Sequence, residues 1–138
     1  MSSYETEATT GPLGQLDSGH HLIGSDRVEG TAVMDRDGVK LGTIERLMID
    51  KLSGEVRYAV MSSGGFLGVG ESYHPLPWGV LNYNAEEGAY VVDRDRGTLE
   101  GGPHYIGDNE PDWSDRDYNA RVYEYYRVEY PSHSGGRM

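Results

Sequence analysis

The sequence predicts a mainly β fold, an antiparallel sandwich or small barrel, with a short helix or an aromatic tail at its C-terminal end. Three observations carry this. Between Leu22 and Leu99 the apolar residues fall in short runs separated by turn-forming clusters, with no ten-residue helical stretch between them. Several of those clusters hold a glycine beside Asp, Ser or Glu, the chemistry of tight turns. Within one run the apolar face changes side, which points to a β-bulge or a sharp bend of the kind found at the corners of small barrels.

Residues 1–21 carry Ser, Thr, Gly and acids with little apolar periodicity and read as a flexible lead-in. Ala32-Val33-Met34 then opens the β region, followed by the turn Asp35-Arg36-Asp37-Gly38. In Gly42–Asp50, Leu47 and Ile49 alternate, whereas Ile44 is out of phase with them by one residue. Lys51-Leu52-Ser53-Gly54 makes the next turn, and Val56, Tyr58 and Val60 form one face of the strand after it. A glycine-rich loop follows, then strands over His74–Trp78 and Val80–Tyr83, the turn Asn84–Gly88, and the strand Ala89-Tyr90-Val91-Val92.

Residues 100–130 differ in character, being aromatic and acidic. Pro103-His104-Tyr105 and Pro111-Asp112-Trp113 are extended segments pinned by proline. Ser114 with Asp117 three residues later resembles a capping box, and Tyr118, Val122 and Tyr125 or Tyr126 fall at helical spacing, so a helix of about three turns is expected from Asp115. The shared parity of Val122, Tyr126, Val128 and Tyr130 is the competing strand pattern. Residues 131–138 read as a loose tail.

The loop Gly64-Gly65-Phe66-Leu67-Gly68-Val69-Gly70 invites comparison with a phosphate-binding loop. Such loops end in a helix N-terminus whose free N–H groups meet the anion. Here Pro75 and Pro77 oppose a helix, no Gly-Lys-Ser/Thr follows, and Glu71 would repel phosphate. The expectation is a corner built from glycines, with Phe66 and Leu67 either tucked into the barrel end or exposed for a partner.

Composition narrows the function. Twelve Lys and Arg against 23 Asp and Glu give a net charge of −11, with the basic residues scattered among acids, so no nucleic-acid partner is expected. No apolar run approaches the ~20 residues of a membrane-spanning helix, so no membrane insertion is expected. The start MSSYETEATT lacks a secretory signal pattern, and the absence of cysteine fits an intracellular protein; the expectation is cytoplasmic.

Candidate chemistry is sparse. His20 and His21 are in the lead-in, and His74 reads as a structural histidine before a ligand. Asp35-x-Asp37-Gly38 and Asp93-x-Asp95-x-Gly97 resemble calcium loops, but the twelfth positions are Arg46 and His104, so turn chemistry is the reading. Ser62, Ser63 and Ser72 lack the context of a nucleophile elbow. No catalytic residue, metal or cofactor is expected.

Taken together, Asp37-Gly38, Leu41-Gly42, Ile49-Asp50, Ser53-Gly54 before Tyr58-Ala59-Val60, Gly-Gly-Phe-Leu-Gly and Pro77-Trp78 resemble the PRC-barrel domain over residues 22–99. This domain is shared by the H subunit of photosynthetic reaction centres and the ribosome-maturation factor RimM. Neither the H subunit's membrane helix nor the maturation factor's additional N-terminal domain is expected from these residues, and the sequence looks more like the stand-alone bacterial members. The resemblance implies a strongly bent antiparallel barrel that docks onto proteins and catalyses nothing. The candidate interface residues are Phe66, Leu67 and Trp78 near the loop and Trp113, Tyr118 and Tyr125 on the C-terminal segment. That segment covers either its own barrel or a second copy, and a homodimer that docks onto a further protein is the expectation, with small-molecule or metal binding at the barrel end as the alternative.

Overall fold

The computed structural model describes residues 21–64 and 71–131. A single turn of helix, α1 (Ser25–Val28), precedes strands β1 (Ala32–Met34), β2 (Lys40–Ile49), β3 (Val56–Ser62) and β4 (Ser72–Pro77). A 3-10 turn (Trp78–Val80) then leads to β5 (Leu81–Asn84), β6 (Ala89–Val92), helix α2 (Arg96–Glu100), β7 (Tyr105–Ile106) and helix α3 (Arg116–Tyr125). The strands form one sheet in the order β5-β6-β1-β2-β3-β4-β7.

The fold is mainly β, as expected, but two details differ from an antiparallel barrel. β1 and β6 run parallel, with Val33 opposite Tyr90. The reason is the link between β4 and β5: the 3-10 turn carries the chain from one side of the sheet to the other without reversing it, so β6 returns in the direction of β1. The ladder is also not closed, because β5 and β7 are its two edges among the described residues.

The phase slip in β2 is a bulge. Ile44 pairs with Met61 but Arg46 pairs with Val60, leaving Glu45 as the extra residue. Ile44 thereby turns into the core at 1% exposure, while Ile49 at the far end stays half exposed. Two residues before the bulge, a Cβ on Gly42 would collide with the Ser62 carbonyl oxygen, so this close approach of β2 and β3 requires glycine. The alternation in β3 shows one buried face; the structure buries both, from Arg57 through Ser62. Such two-sided burial marks a central strand, and alternation cannot reveal it because the second cover comes from distant sequence.

That cover is the C-terminal segment. Asp115 caps α3 by accepting hydrogen bonds from the backbone N–H groups of Asp117 (2.9 Å) and Tyr118 (3.2 Å). The cap therefore falls one residue beyond the expected Ser114, whose hydroxyl donates to Asp112 instead (2.6 Å). α3 buries Asn119, Val122 and Tyr123, and Tyr126 just after it is fully buried. The helix ends with Arg127 in the left-handed region (φ 59°), its N–H donating to the Glu124 carbonyl and that of Val128 to the Tyr123 carbonyl.

Two tyrosines lock the helix to β3. Tyr58 donates its hydroxyl to Asn119 Oδ1 (2.5 Å) and Tyr123 donates to the Arg57 carbonyl (2.6 Å). The Arg57 guanidinium, itself buried, is held between Asp50 (3.1 Å) and Glu55 (2.9 Å), as a charge removed from water requires. The C-terminal aromatics Tyr123 and Tyr126 thus pack on their own sheet.

Candidate functional site

The expected interface residues occupy different environments. Trp78, on the 3-10 turn, is half-buried with its ring 5.5 Å from that of Tyr90. Trp113 is half-buried among Tyr58 (5.6 Å), Tyr118 (6.2 Å) and Tyr105 (6.3 Å), and its indole N–H donates to Glu110. Tyr118 is also half-buried, while Tyr125 is 40% exposed and donates its hydroxyl to the Thr98 carbonyl. Phe66 and Leu67 lie outside the described residues, as do residues 1–20 of the expected lead-in, His20 among them, and 132–138 of the expected tail.

A shallow groove of about 430 Å³ opens beside the α3 seam. Val56, Trp78, Val128 and Pro131 supply its apolar surface, and Glu55, Arg57 and Glu129 its charged edge. It joins Trp78 to the end of the C-terminal segment, a grouping that only the fold creates.

A second feature was not foreseen. Where β3 ends and β4 begins, α2 and His104 frame a cavity of about 270 Å³. The sequence builds it locally. Asp95 caps α2 by accepting from the Thr98 N–H and hydroxyl, both at 2.8 Å, which also holds its carboxyl below the usual range. The one-turn helix then sets Leu99 into the core and leaves Arg96 and Glu100 paired at 3.2 Å on the rim. After it, Gly102 lies so close to Tyr126 and Tyr125 that a Cβ would sit 2.8 Å from the Tyr126 hydroxyl, and Pro103 and His104 then lead from α2 into β7. His104 Nδ1 lies 3.0 Å from the Gly102 carbonyl oxygen.

His74 forms the inner wall. It pairs in register with Met61 on β3 and is 6% exposed. Its Nε2 lies 3.3 Å from the Ser72 hydroxyl and 3.5 Å from that of Ser63, whereas Nδ1 is buried with no hydrogen-bond partner among the described residues. The His104 ring is centred 5.5 Å away. Burial, and then the neighbouring imidazole, push His74 below the ordinary histidine value, against smaller opposing effects of the Leu99 carbonyl and Glu100.

The serines and His74 are a hydroxyl–imidazole grouping, which the sequence reading did not find beside any serine. Ser72 and His74 share a strand face, a two-residue spacing that was available as a signal; Ser63 joins them only through the β3–β4 pairing. Acyl transfer by such a group needs a partner on the other ring nitrogen to orient the base. No side chain or backbone group among the described residues meets Nδ1 in hydrogen-bond geometry. Among the described residues, no group of three or more His, Asp or Glu is placed to hold a metal, and no helix is long and apolar enough to cross a membrane.

The model of the PRC-barrel domain matches residues 20–99, more than half of the chain. The chain belongs to the PRC-barrel family. The 3-10 turn and its Trp78 lie inside this PRC-barrel region, whereas β7, α3 and His104 are an extension beyond it. Among solved structures, one similar chain is described as the 16S ribosomal RNA processing protein RimM from Pseudomonas aeruginosa. It is 23% identical with a TM-score of 0.37, over 54% of this chain and 45% of that one, so the shared part is less than half of that protein. No curated protein matches the chain.

Proposed function

We propose that this PRC-barrel protein is a non-catalytic docking module for assembly with another protein, and that the groove beside Trp78 receives the partner. The docking role is the one the family resemblance implies. The observation that carries its placement is that α3 already seals the sheet, while Val56, Trp78, Val128 and Pro131 leave an apolar groove open next to it. Glu129 on the edge and the net charge of −11 favour a partner segment with an apolar side chain flanked by Lys or Arg.

The test is quantitative capture of partner protein by the immobilised chain, comparing wild type with Glu129→Lys and Val128→Asp. Loss of the same captured protein with both variants, while their circular dichroism is unchanged, is the expected result. Undiminished capture would remove the groove from the docking role. The Phe66→Ala, Leu67→Ala double variant tests the glycine loop in the same assay.

A homodimer is the second reading. Its support is the outer edge of β5, unpaired among the described residues, where Tyr83 is half exposed. Light scattering showing only monomer at ~100 μM would count against it, since specific interfaces bind more tightly than that.

A further inference from the structure

The cavity between β4 and α2 combines three properties that packing alone does not require. Its floor is apolar, formed by Leu41, Met61 and Leu99. Its polar wall carries the hydroxyls of Ser63 and Ser72 and the rings of His74 and His104, which can each donate or accept, together with the guanidinium of Arg96 and the carboxylate of Glu100. Glu100 is engaged by Arg96 through Nε, and the two terminal guanidinium nitrogens meet no acceptor among the described residues. At about 270 Å³ the space holds roughly nine waters at ~30 Å³ each, the scale of a molecule of about ten heavy atoms.

We infer that this cavity is a binding site for a small amphipathic carboxylate, with the chain on Leu41, Met61 and Leu99 and the carboxylate at Arg96, the two serine hydroxyls and the imidazoles. A planar guanidinium with free terminal N–H groups matches a carboxylate in geometry and charge. The apolar floor selects against small hydrophilic anions such as phosphate, which have nothing to place there. The overall negative charge acts weakly at the site, because repulsion from exposed acids more than about 10 Å away is largely screened at ~0.1 M salt. Glu100 repels the incoming carboxylate, but it is paired with Arg96 through Nε, which leaves the terminal guanidinium nitrogens to meet the ligand.

A bound carboxylate near His74 favours its protonated form, so binding takes up a proton there and strengthens as pH falls below the ordinary histidine value of about 6.5 toward the lowered value of His74. The groups facing the two rings are Arg96 and Glu100 on α2, Ser63 after β3 and Ser72 on β4, with Leu41 of β2 and Met61 of β3 as apolar neighbours. Raising one histidine by a single pKa unit on binding corresponds to at most about a tenfold change in affinity.

The experiment uses the full chain with octanoate, octanol and octylamine as probes, followed by calorimetry and by the histidine Cε1–Hε1 NMR signals. Saturable binding of octanoate that shifts two histidine signals, weakens about tenfold in Arg96→Ala and is about tenfold tighter than octanol is the expected result. Arg96 is an exposed rim residue, so its removal leaves the fold in place; Arg36→Ala, an exposed arginine that does not line the cavity, is the control. Equal affinity for octanol and octanoate, or preference for octylamine, would overturn the carboxylate assignment. Absence of saturable binding by all three at 10 mM would overturn the site. Glu129→Lys, which tests docking, should leave octanoate binding unchanged, so the two proposals fail separately.

Discussion

The seam between α3 and the sheet and the corner between α2 and β4 use similar materials, rings with polar tips, and reach opposite results. At the seam the rings of Tyr58, Tyr123 and Trp113 pack with centroids 5.5–5.6 Å apart, and the hydroxyls of both tyrosines end on fixed acceptors. At the corner the imidazoles of His74 and His104 are 5.5 Å apart but face a cavity, and one buried nitrogen has no partner. Polar tips that end on backbone or amide acceptors close a core. Those arranged around unfilled space leave room for something else. One seam atom departs from this contrast, the Tyr126 hydroxyl, which is buried without a partner among the described residues.

The strongest way to break the contrast is alkali. Burial raises Tyr58, Tyr123 and Tyr126 above the ordinary tyrosine value near 10, Tyr123 to about 12. In the unfolded chain these groups ionise near pH 10, while in the fold they stay protonated. The folded state therefore binds more protons between the two values. Stability should be intact below pH 10 and fall steeply as pH rises through about 12, as urea midpoints at stepped pH will reveal. A flat profile to pH 12 would mean the seam is not sealed.

Next in size is the seam's largest buried side chain. Tyr126→Ala should cost about 3–5 kcal/mol, by analogy with other large aromatic truncations. Tyr126→Phe should be neutral or slightly stabilising, because it removes a hydroxyl that has nothing to bond. Denaturation in urea separates the two variants, and a costly Phe substitution would show the hydroxyl to be satisfied after all.

Tyr58→Phe should behave differently from Tyr126→Phe although the chemical change is identical. It strips the donor from Asn119 Oδ1 in a buried position and should cost about 1–3 kcal/mol. Equal effects of the two substitutions would erase the distinction between a paired and an unpaired tip.

The smallest expected effect is at the corner and has the opposite sign in pH. His74 is lowered from its ordinary value near 6.5, so the unfolded chain takes up the proton first. Its contribution is present above about 6.5 and declines as pH falls through the lowered value. The shallow acid slope in unfolding free energy should disappear in His74→Gln; an unchanged slope would place the acid sensitivity elsewhere.

Much of this fold was legible before any coordinates. Ile44 being out of step with Leu47 and Ile49 announced the β2 bulge, since strand side chains alternate strictly and a slip needs an extra residue. The spacing of Tyr118, Val122 and Tyr126 placed α3, because a helix returns to the same face every three to four residues. α2 stayed hidden because a five-residue helix has too few turns to display a period, and its capping Asp95 sat inside an alternating run of acids and arginines. The glycine loop leads into strand β4, not a helix, in keeping with the argument from Pro75 and Pro77.

The sequence by itself determined the local elements, because periodicity, turn chemistry and capping act between residues a few positions apart. Only the tertiary structure decided which face each element shows to which neighbour. The parallel β1–β6 pair, the two-sided burial of β3, the groove at Trp78 and the meeting of Ser63, Ser72, His74, Arg96 and His104 all depend on contacts between segments far apart in the chain. Such contacts form by closing long loops around a shared core, and local spacing does not encode which segments will meet.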